Sequence, residues 1–329
     1  MVIESVETCL DRYQMTRKAK VVVLGAFVAD LSFQASRLPQ PGETIIGSSF
    51  SSGPGGKGSN QAIAAARAGA DVHFISRLGN DAFGNMALKV WEDDKIETRV
   101  EISADAETGA AFIHVNTATG ENAIIVTPGA ASGLTEEYVA KQADLIRSAD
   151  VFVTQLEQPI GVAMLGLELA RSNGVTTILN PAPAELLPAK IYSLCDLIVP
   201  NESEASGLTG IEVVTLDDAR LAADVLLARG VGAVIITLGH RGALLHLAEY
   251  SVHIPPVRTG AAVDTAGAGD AFIGGLAAAI GGGLKSEAAA NFASVVAGLS
   301  VTKPGTAPAM PRLSAIQNYL AVALKNSGE

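Results

Sequence analysis

Cysteine is nearly absent: Cys9 and Cys195 are the only two in 329 residues. One stands in a polar leader and the other beside an apolar strand, which excludes a disulfide framework and points to a reducing cytoplasm. Aromatic residues are scarce at 5%. Positive charge is also short: 23 Lys and Arg stand against 34 Asp and Glu, for a net charge of −11. That balance excludes a binder of nucleic-acid backbones, which needs clustered Lys and Arg. A small anion such as a nucleotide stays allowed, because backbone amides and a metal can hold it. No apolar run reaches membrane length; the uncharged Ala271–Leu284 is too short and too rich in glycine. A secretory signal is missing from the polar first nineteen residues. The chain reads as a soluble cytoplasmic protein with no nucleic-acid or membrane partner.

What the chain has is aliphatic bulk and 34 glycines, with 48% hydrophobic residues overall. Val21-Val22-Val23-Leu24-Gly25 has the pattern of a strand buried on both faces. Similar strands are predicted at 72–76, 151–154, 177–179, 197–199 and 233–238. Helical stretches fall near 59–68, 82–93, 135–148, 160–173, 215–229, 270–281 and 285–299. This alternation predicts an α/β fold, a mostly parallel central sheet with helices on both faces. Two segments, 27–52 and 108–127, read as short strands without a helix, and so as a small β-lid over the carboxyl edge where such sheets bind ligands. Residues 1–19 read as an extension without fixed structure, and 20–329 as one domain.

Three local patterns carry chemistry. In Asp264-Thr265-Ala266-Gly267-Ala268-Gly269-Asp270, small residues ahead of an apolar helix leave backbone N–H groups free to hold an anion. Asp270 at that helix start is either a residue of the pocket or a simple N-cap. Gly53-Pro54-Gly55-Gly56-Lys57-Gly58-Ser59-Asn60 lets backbone approach a ligand closely and adds the donors Lys57 and Asn60. It also satisfies G-x-G-x-x-G, but it does not follow the first buried strand, and Gly58 stands where a Walker A loop needs Ser or Thr. Asn201 and Glu204 share a helix face and serve either Mg²⁺ or helix capping. The histidines show no metal-ligand spacing; His73, His114, His246 and Trp91 read as packing or surface residues.

Taken together and in this order, Gly55–Asn60, the Asn201…Glu204 pair and Asp264–Asp270 resemble the ribokinase-like carbohydrate kinases, from about residue 20 to 325. Pro41-Gly42-Glu43-Thr44, Gln155-Leu156-Glu157, Leu179–Pro183 and Thr237-Leu238-Gly239 resemble the family as well. The resemblance implies ATP-dependent phosphorylation of the primary hydroxyl of a pentose. D-ribose is the first candidate, 2-deoxyribose the second, and another sugar or a nucleoside follows. It implies that Asp30, Gly56, Lys57, Asn60 and Glu157 contact the sugar and that Asp270 takes the hydroxyl proton. Gly267, Ala268 and Gly269 would form the anion hole. Asn201, Glu204, Thr237, Gly239 and Gly269 would serve ATP, with Glu204 reaching Mg²⁺ through water. A K⁺ site would be built from Asp264, Ala266, Ser300, Lys303, Gly305 and Ala309, and the lid would make a homodimer. Two positions depart from the family pattern. Val28 replaces an asparagine that meets the sugar, and Ala309 replaces a frequent serine, though its carbonyl can still ligate. The rival readings are a nicotinamide-dependent oxidoreductase using Gly53–Gly58 and a sugar-binding protein without catalysis.

Overall fold

The computed structural model describes residues 13–326. The strands are β1 (Lys20–Leu24), β2 (Val28–Ala35), β3 (Ser49–Gly55), β4 (Asp71–Gly79), β5 (Glu97–Ser103), β6 (Thr108–Asn116), β7 (Asn122–Gly129), β8 (Val151–Thr154), β9 (Thr176–Leu179), β10 (Leu197–Ile198), β11 (Ala233–Thr237), β12 (Ala243–His246) and β13 (Ser251–Ile254). The helices are α1 (Lys57–Arg67), α2 (Ala82–Asp93), α3 (Glu136–Ala140), α4 (Ala143–Arg147), α5 (Ile160–Arg171), α6 (Ala189–Tyr192), α7 (Glu202–Thr209), α8 (Leu216–Ala228), α9 (Ala268–Gly281), α10 (Ser286–Ser300) and α11 (Leu313–Asn326).

Nine strands form the main sheet in the order β13-β12-β11-β10-β9-β8-β1-β4-β5. All neighbours are parallel except in the β11–β12–β13 meander. The alternation of apolar residues along β1 explains the two-layer wrap. Val21 and Val23 enter one core, with α1, α9 and α10, while Val22 and Leu24 enter the other, with α5 and α8. From β1 the chain runs to β4 and β5 on one side and, later, from β8 to β11 on the other. The order therefore reverses between β1 and β8, where the carboxyl ends of open sheets leave a crevice.

The lid is a separate four-stranded sheet, ordered β3-β2-β6-β7, built from the two helix-free segments. Its strands extend to Gly55 and Gly129, slightly past the expected limits. The single helix expected over 135–148 is two, α3 and α4. At the break Gln142 N–H donates to Val139 O, a tighter three-residue step. The charged edge strand β5, strand β13 and α11 have no counterpart among the predicted elements.

Of the expected extension over residues 1–19, residues 1–12 lie outside the described residues, and 13–19 are part of the fold. Tyr13 and Met15 pack on the core, Thr16 N–H donates to Gly282 O at 2.9 Å, and Ala19 is buried. The folded unit thus reaches back at least to Tyr13. Among the described residues no helix is long and apolar enough to cross a membrane. Cys195 is a buried free thiol; Cys9 lies outside the described residues.

Candidate active site

Helix α9 positions the central carboxylate. Its N-cap is Gly267, in the left-handed region at φ 72°, so Asp270 is the third helical residue and its side chain makes no capping bond. The capping alternative for Asp270 therefore falls. Instead, Asp270 turns toward α1. Asn60 Nδ2 donates to its Oδ2 at 3.1 Å, and Gln61 Nε2 to its Oδ1 at 2.9 Å. The helices come this close because position 274 carries no side chain: a Cβ on Gly274 would sit 2.5 Å from both Ala64 Cβ and Gln61 O. Glycine and alanine in Ala271–Ile280, read from sequence only as an apolar helix, thus set the distance between Asp270 and its two amide donors.

A cavity of about 160 Å³ opens over the α9 N-terminus. Lys57, Asn201, Glu204, Thr237 and the Gly267–Asp270 backbone line it, together with Asn180 and Thr265. These side chains come from the carboxyl ends of β9, β10 and β11 and from the starts of α1, α7 and α9. Gly239 opens a short 3₁₀ turn just past β11 at φ 54° but is not part of the cavity wall.

Lys57 holds the charges together. Burial would lower its pKa, but the carboxylates of Asp270, Glu157 and Glu204 more than reverse this and keep it charged. Its backbone N–H also donates to Glu157 Oε2 at 2.7 Å. Burial pushes Glu157 up to about 7, with Lys57 opposing and Asp270 and Asp30 adding to the rise. Burial likewise raises Asp30 to about 6, against a hydrogen bond from Thr306. Asp270 is raised as well, by burial first, against Lys57 and the amides of Gln61 and Asn60. Three sparingly solvated acids around one lysine make a site suited to several hydroxyl donors and one departing proton. Asn60 Oδ1 is buried with no partner, an acceptor aimed at nothing in the chain.

The Asn201–Glu204 pair is a full capping box. Asn201 Oδ1 accepts from Glu204 N–H at 2.8 Å, while Asn201 N–H and Nδ2 donate to the two Glu204 oxygens at 2.9 Å each. The capping alternative is what the geometry shows, and the capped carboxylate is also part of the cavity wall. Burial raises its pKa above the ordinary value. Among the described residues no group of three or more His, Cys, Asp or Glu could hold a metal ion.

The expected monovalent-cation segments do lie together. Asp264 Oδ1 accepts from Ala266 N–H and its Oδ2 from Gly305 N–H, both at 2.9 Å. Ser300 O is turned to Lys303 N–H at 3.3 Å, and Ala309 is buried behind the loop. Asp264 thus ties the 264–266 segment to Gly305, with both carboxylate oxygens accepting from backbone N–H groups.

Four residues were passed over as site residues in the sequence although they stand in or next to quoted segments: Gln61, Gln155, Asn180 and Thr306. Gln61 follows Asn60 directly, and Gln155 and Asn180 lie in Gln155–Glu157 and Leu179–Pro183. Thr306 Oγ1 lies 3.1 Å from Asp30 Oδ2 and 3.0 Å from Pro54 O, joining the lid to the loop beside the anion hole. Only the tertiary contact marks it. Trp91 and the three histidines are packing residues as expected: Trp91 is buried and donates to Ser59 Oγ at 2.9 Å, and His73, His114 and His246 are buried in β4, β6 and β12. Gly53–Gly58 spans the end of lid strand β3 and the start of α1, so the helix it opens follows a lid strand rather than a strand of the parallel sheet, which removes the structural context a dinucleotide motif requires.

The pfkB family of carbohydrate kinases matches residues 18–313. Ribokinase of Staphylococcus aureus (strain COL) is 40% identical over 300 residues, covering 90% of this chain and 98% of the relative. Deoxyribokinase of Salmonella typhi is 36% identical over 304 residues, covering 92% and 99%. Among solved structures, Arabidopsis thaliana ribokinase complexed with ribose and ATP superposes with a TM-score of 0.85 at 29% identity, over 92% of this chain and 99% of that one. Matched by the family model over most of its length and by relatives at 36% and 40% identity, this chain belongs to the pfkB family of carbohydrate kinases.

Proposed function

We propose that this kinase transfers the γ-phosphoryl group of ATP to the primary hydroxyl of D-ribose. The observation that carries the reading is the meeting of Asp270 with the N–H groups of Gly267 and Gly269, which have no backbone partner, at the mouth of one cavity. In this mechanism Asp30, Gly56, Lys57, Asn60 and Glu157 hold the sugar, and the unpartnered Asn60 Oδ1 accepts from one of its hydroxyls. Asp270 takes the proton as the sugar oxygen bonds to phosphorus and the bond to ADP breaks. The α9 N-terminus and Lys57 face the charge on the transferring group. Asn201, Glu204, Thr237 and Gly239 belong to the nucleotide side. Mg²⁺ supplies charge neutralisation on the phosphates when bound. The relatives support ribose and 2-deoxyribose as the two leading substrates.

Val28 bears on that choice. It is buried at the start of β2 and, two residues before Asp30, shares its side of the strand. An isopropyl group there cannot pair with a sugar hydroxyl, a mismatch worth about 1–3 kcal/mol. The test is the ratio of kcat/KM for ribose to that for 2-deoxyribose in the natural protein and in Val28→Asn. The asparagine variant is expected to raise the ratio by roughly 5- to 100-fold on that energy scale. An unchanged ratio removes Val28 from the sugar site.

K⁺ at Asp264, Ala266, Ser300, Lys303, Gly305 and Ala309 would act by fixing the loop next to Gly267. Turnover is therefore expected to rise on adding K⁺ at constant ionic strength; identical rates with and without it remove the cation from the reading. The lid supports a homodimer. On its outer face Phe33 stacks near Phe50 and Phe112, with centroids 4.9 and 5.5 Å apart, while Phe50 and Ile125 remain 58% and 68% exposed. Such an apolar sheet face wants cover. Sedimentation should give a dimer that Phe50→Asp dissociates, and a monomeric natural protein at high concentration would contradict it.

A further inference from the structure

Asp270 lies at the end of a directed chain of buried amides. Asn180 Nδ2 donates to Val199 O at 2.9 Å, which leaves Asn180 Oδ1 facing Gln61. Gln61 Nε2 reaches that oxygen at 3.1 Å and Asp270 Oδ1 at 2.9 Å, while Gln61 Oε1 accepts from Gln155 Nε2 at 2.5 Å. Every end of the Gln61 amide is therefore committed. Turned over, it would set its oxygen against a carboxylate on one side and an amide oxygen on the other, and face the Gln155 donor with a donor. Gln155, Gln61 and Asn180 are all buried, so no bulk water competes for these bonds.

We propose that Gln61 is a positioning residue for the phosphoryl-transfer step: with Gln155 and Asn180 fixing its amide, it holds the Asp270 carboxylate in the orientation that receives the sugar proton. The proposal rests on Asp270 being the base. Asn60 supplies the other bond to Asp270 but keeps a free acceptor for substrate, so the two neighbours divide the work. Asn60 faces the sugar, and Gln61 faces away from it into the protein. A base displaced by a fraction of an ångström loses its alignment with the hydroxyl, and a misplacement near 1 Å can cost about 10²-fold.

The experiment compares Gln61→Met and Gln155→Met with the natural protein and with Asp270→Asn, measuring kcat and KM for ribose and ATP, the pH profile and Tm. Gln61→Met is expected to lower kcat by roughly 10- to 100-fold, with both KM values within about threefold. Gln155→Met touches Asp270 only through Gln61 and should lower kcat by a smaller factor, about 3- to 10-fold. The acid limb of kcat should move to higher pH in Gln61→Met, because a donor to the ionised carboxylate has been lost. Lys57, Glu157, Glu204 and Asp30 also act on Asp270 from α1, the β8 end, α7 and β2, and both variants leave them in place. Normal kcat in Gln61→Met, with Asp270→Asn inactive, overturns the positioning role alone. A loss spread over kcat, KM and Tm with an unmoved acid limb also overturns it, since packing would then explain everything. Should Gln61→Met not fold, Gln155→Met decides by the same readouts. Near-normal turnover in Asp270→Asn removes the base, and the positioning role with it.

Discussion

Asp270→Asn is expected to lower kcat by roughly 10²–10⁴-fold or more, the scale of losing a general base. The substitution keeps the shape of the side chain, and the amide retains an oxygen that can accept from Gln61 or Asn60. Sugar and ATP binding should therefore survive, and the loss should fall on kcat. Stability gives an independent check. The Asp270 carboxylate is buried beside Glu157, Glu204 and Asp30, all acids, with Lys57 and the amides of Gln61 and Asn60 opposing the cost. Removing its charge relieves repulsion, so Tm should hold or rise even as turnover collapses. A folded Asn variant with near-natural kcat would show that Asp270 does not take the proton.

The second large effect is expected on stability, at Arg67→Met. Asp94 is almost inaccessible, its side chain 1% exposed, and Arg67 grips it through Nε at 2.9 and 3.0 Å and Nη2 at 2.7 Å. The same guanidinium donates through Nη1 to Ala307 O at 2.9 Å and Met310 O at 3.0 Å. Methionine keeps the apolar stem but strands a buried carboxylate and two carbonyls. Breaking one side of such a pair costs about 3–5 kcal/mol, and Arg312 Nη2, 3.5 Å from Asp94, points to the lower end. Tm should fall by on the order of 10 °C. Adding Asp94→Asn should recover part of the loss, because the stranded charge causes most of it. A Tm shift of a degree or two for Arg67→Met alone would mean that Arg312 or water replaces it. The residue also matters locally, because it ties the end of α1 to the loop that carries Gly305 and Thr306.

The fold was legible where burial dictates the residues. β1 and β8 lie between neighbouring strands and are buried on both faces, so they read as mostly apolar runs. Helix α2 matched its predicted span, bounded by Asp81, whose side chain accepts from Gly84 N–H at 2.7 Å. Edge elements escaped notice for the opposite reason. β5 alternates charged and apolar residues at the border of the sheet, where only one neighbour constrains it, and β13 at the other border is short. Residues 13–19 carry few apolar side chains of their own and are ordered by contact with Gly282 and the core.

For the candidate site, the sequence by itself determined which backbone segments approach one another's function: glycine runs before helices expose N–H groups wherever they occur, and Gly267–Asp270 needed no partner to be read that way. What it could not determine was where carboxylates and amides from distant segments meet. From its own segment Asp270 reads as a cap or a pocket residue, and only the structure turns its side chain to Asn60 and Gln61, 210 and 209 residues away. Gln61, Gln155, Asn180 and Thr306 gave no local signal, because an amide or hydroxyl gains its role only from the group it faces. The tertiary structure decided those pairings through packing. Gly274 lets α9 lie against α1, and that contact fixes which side chains share a hydrogen bond.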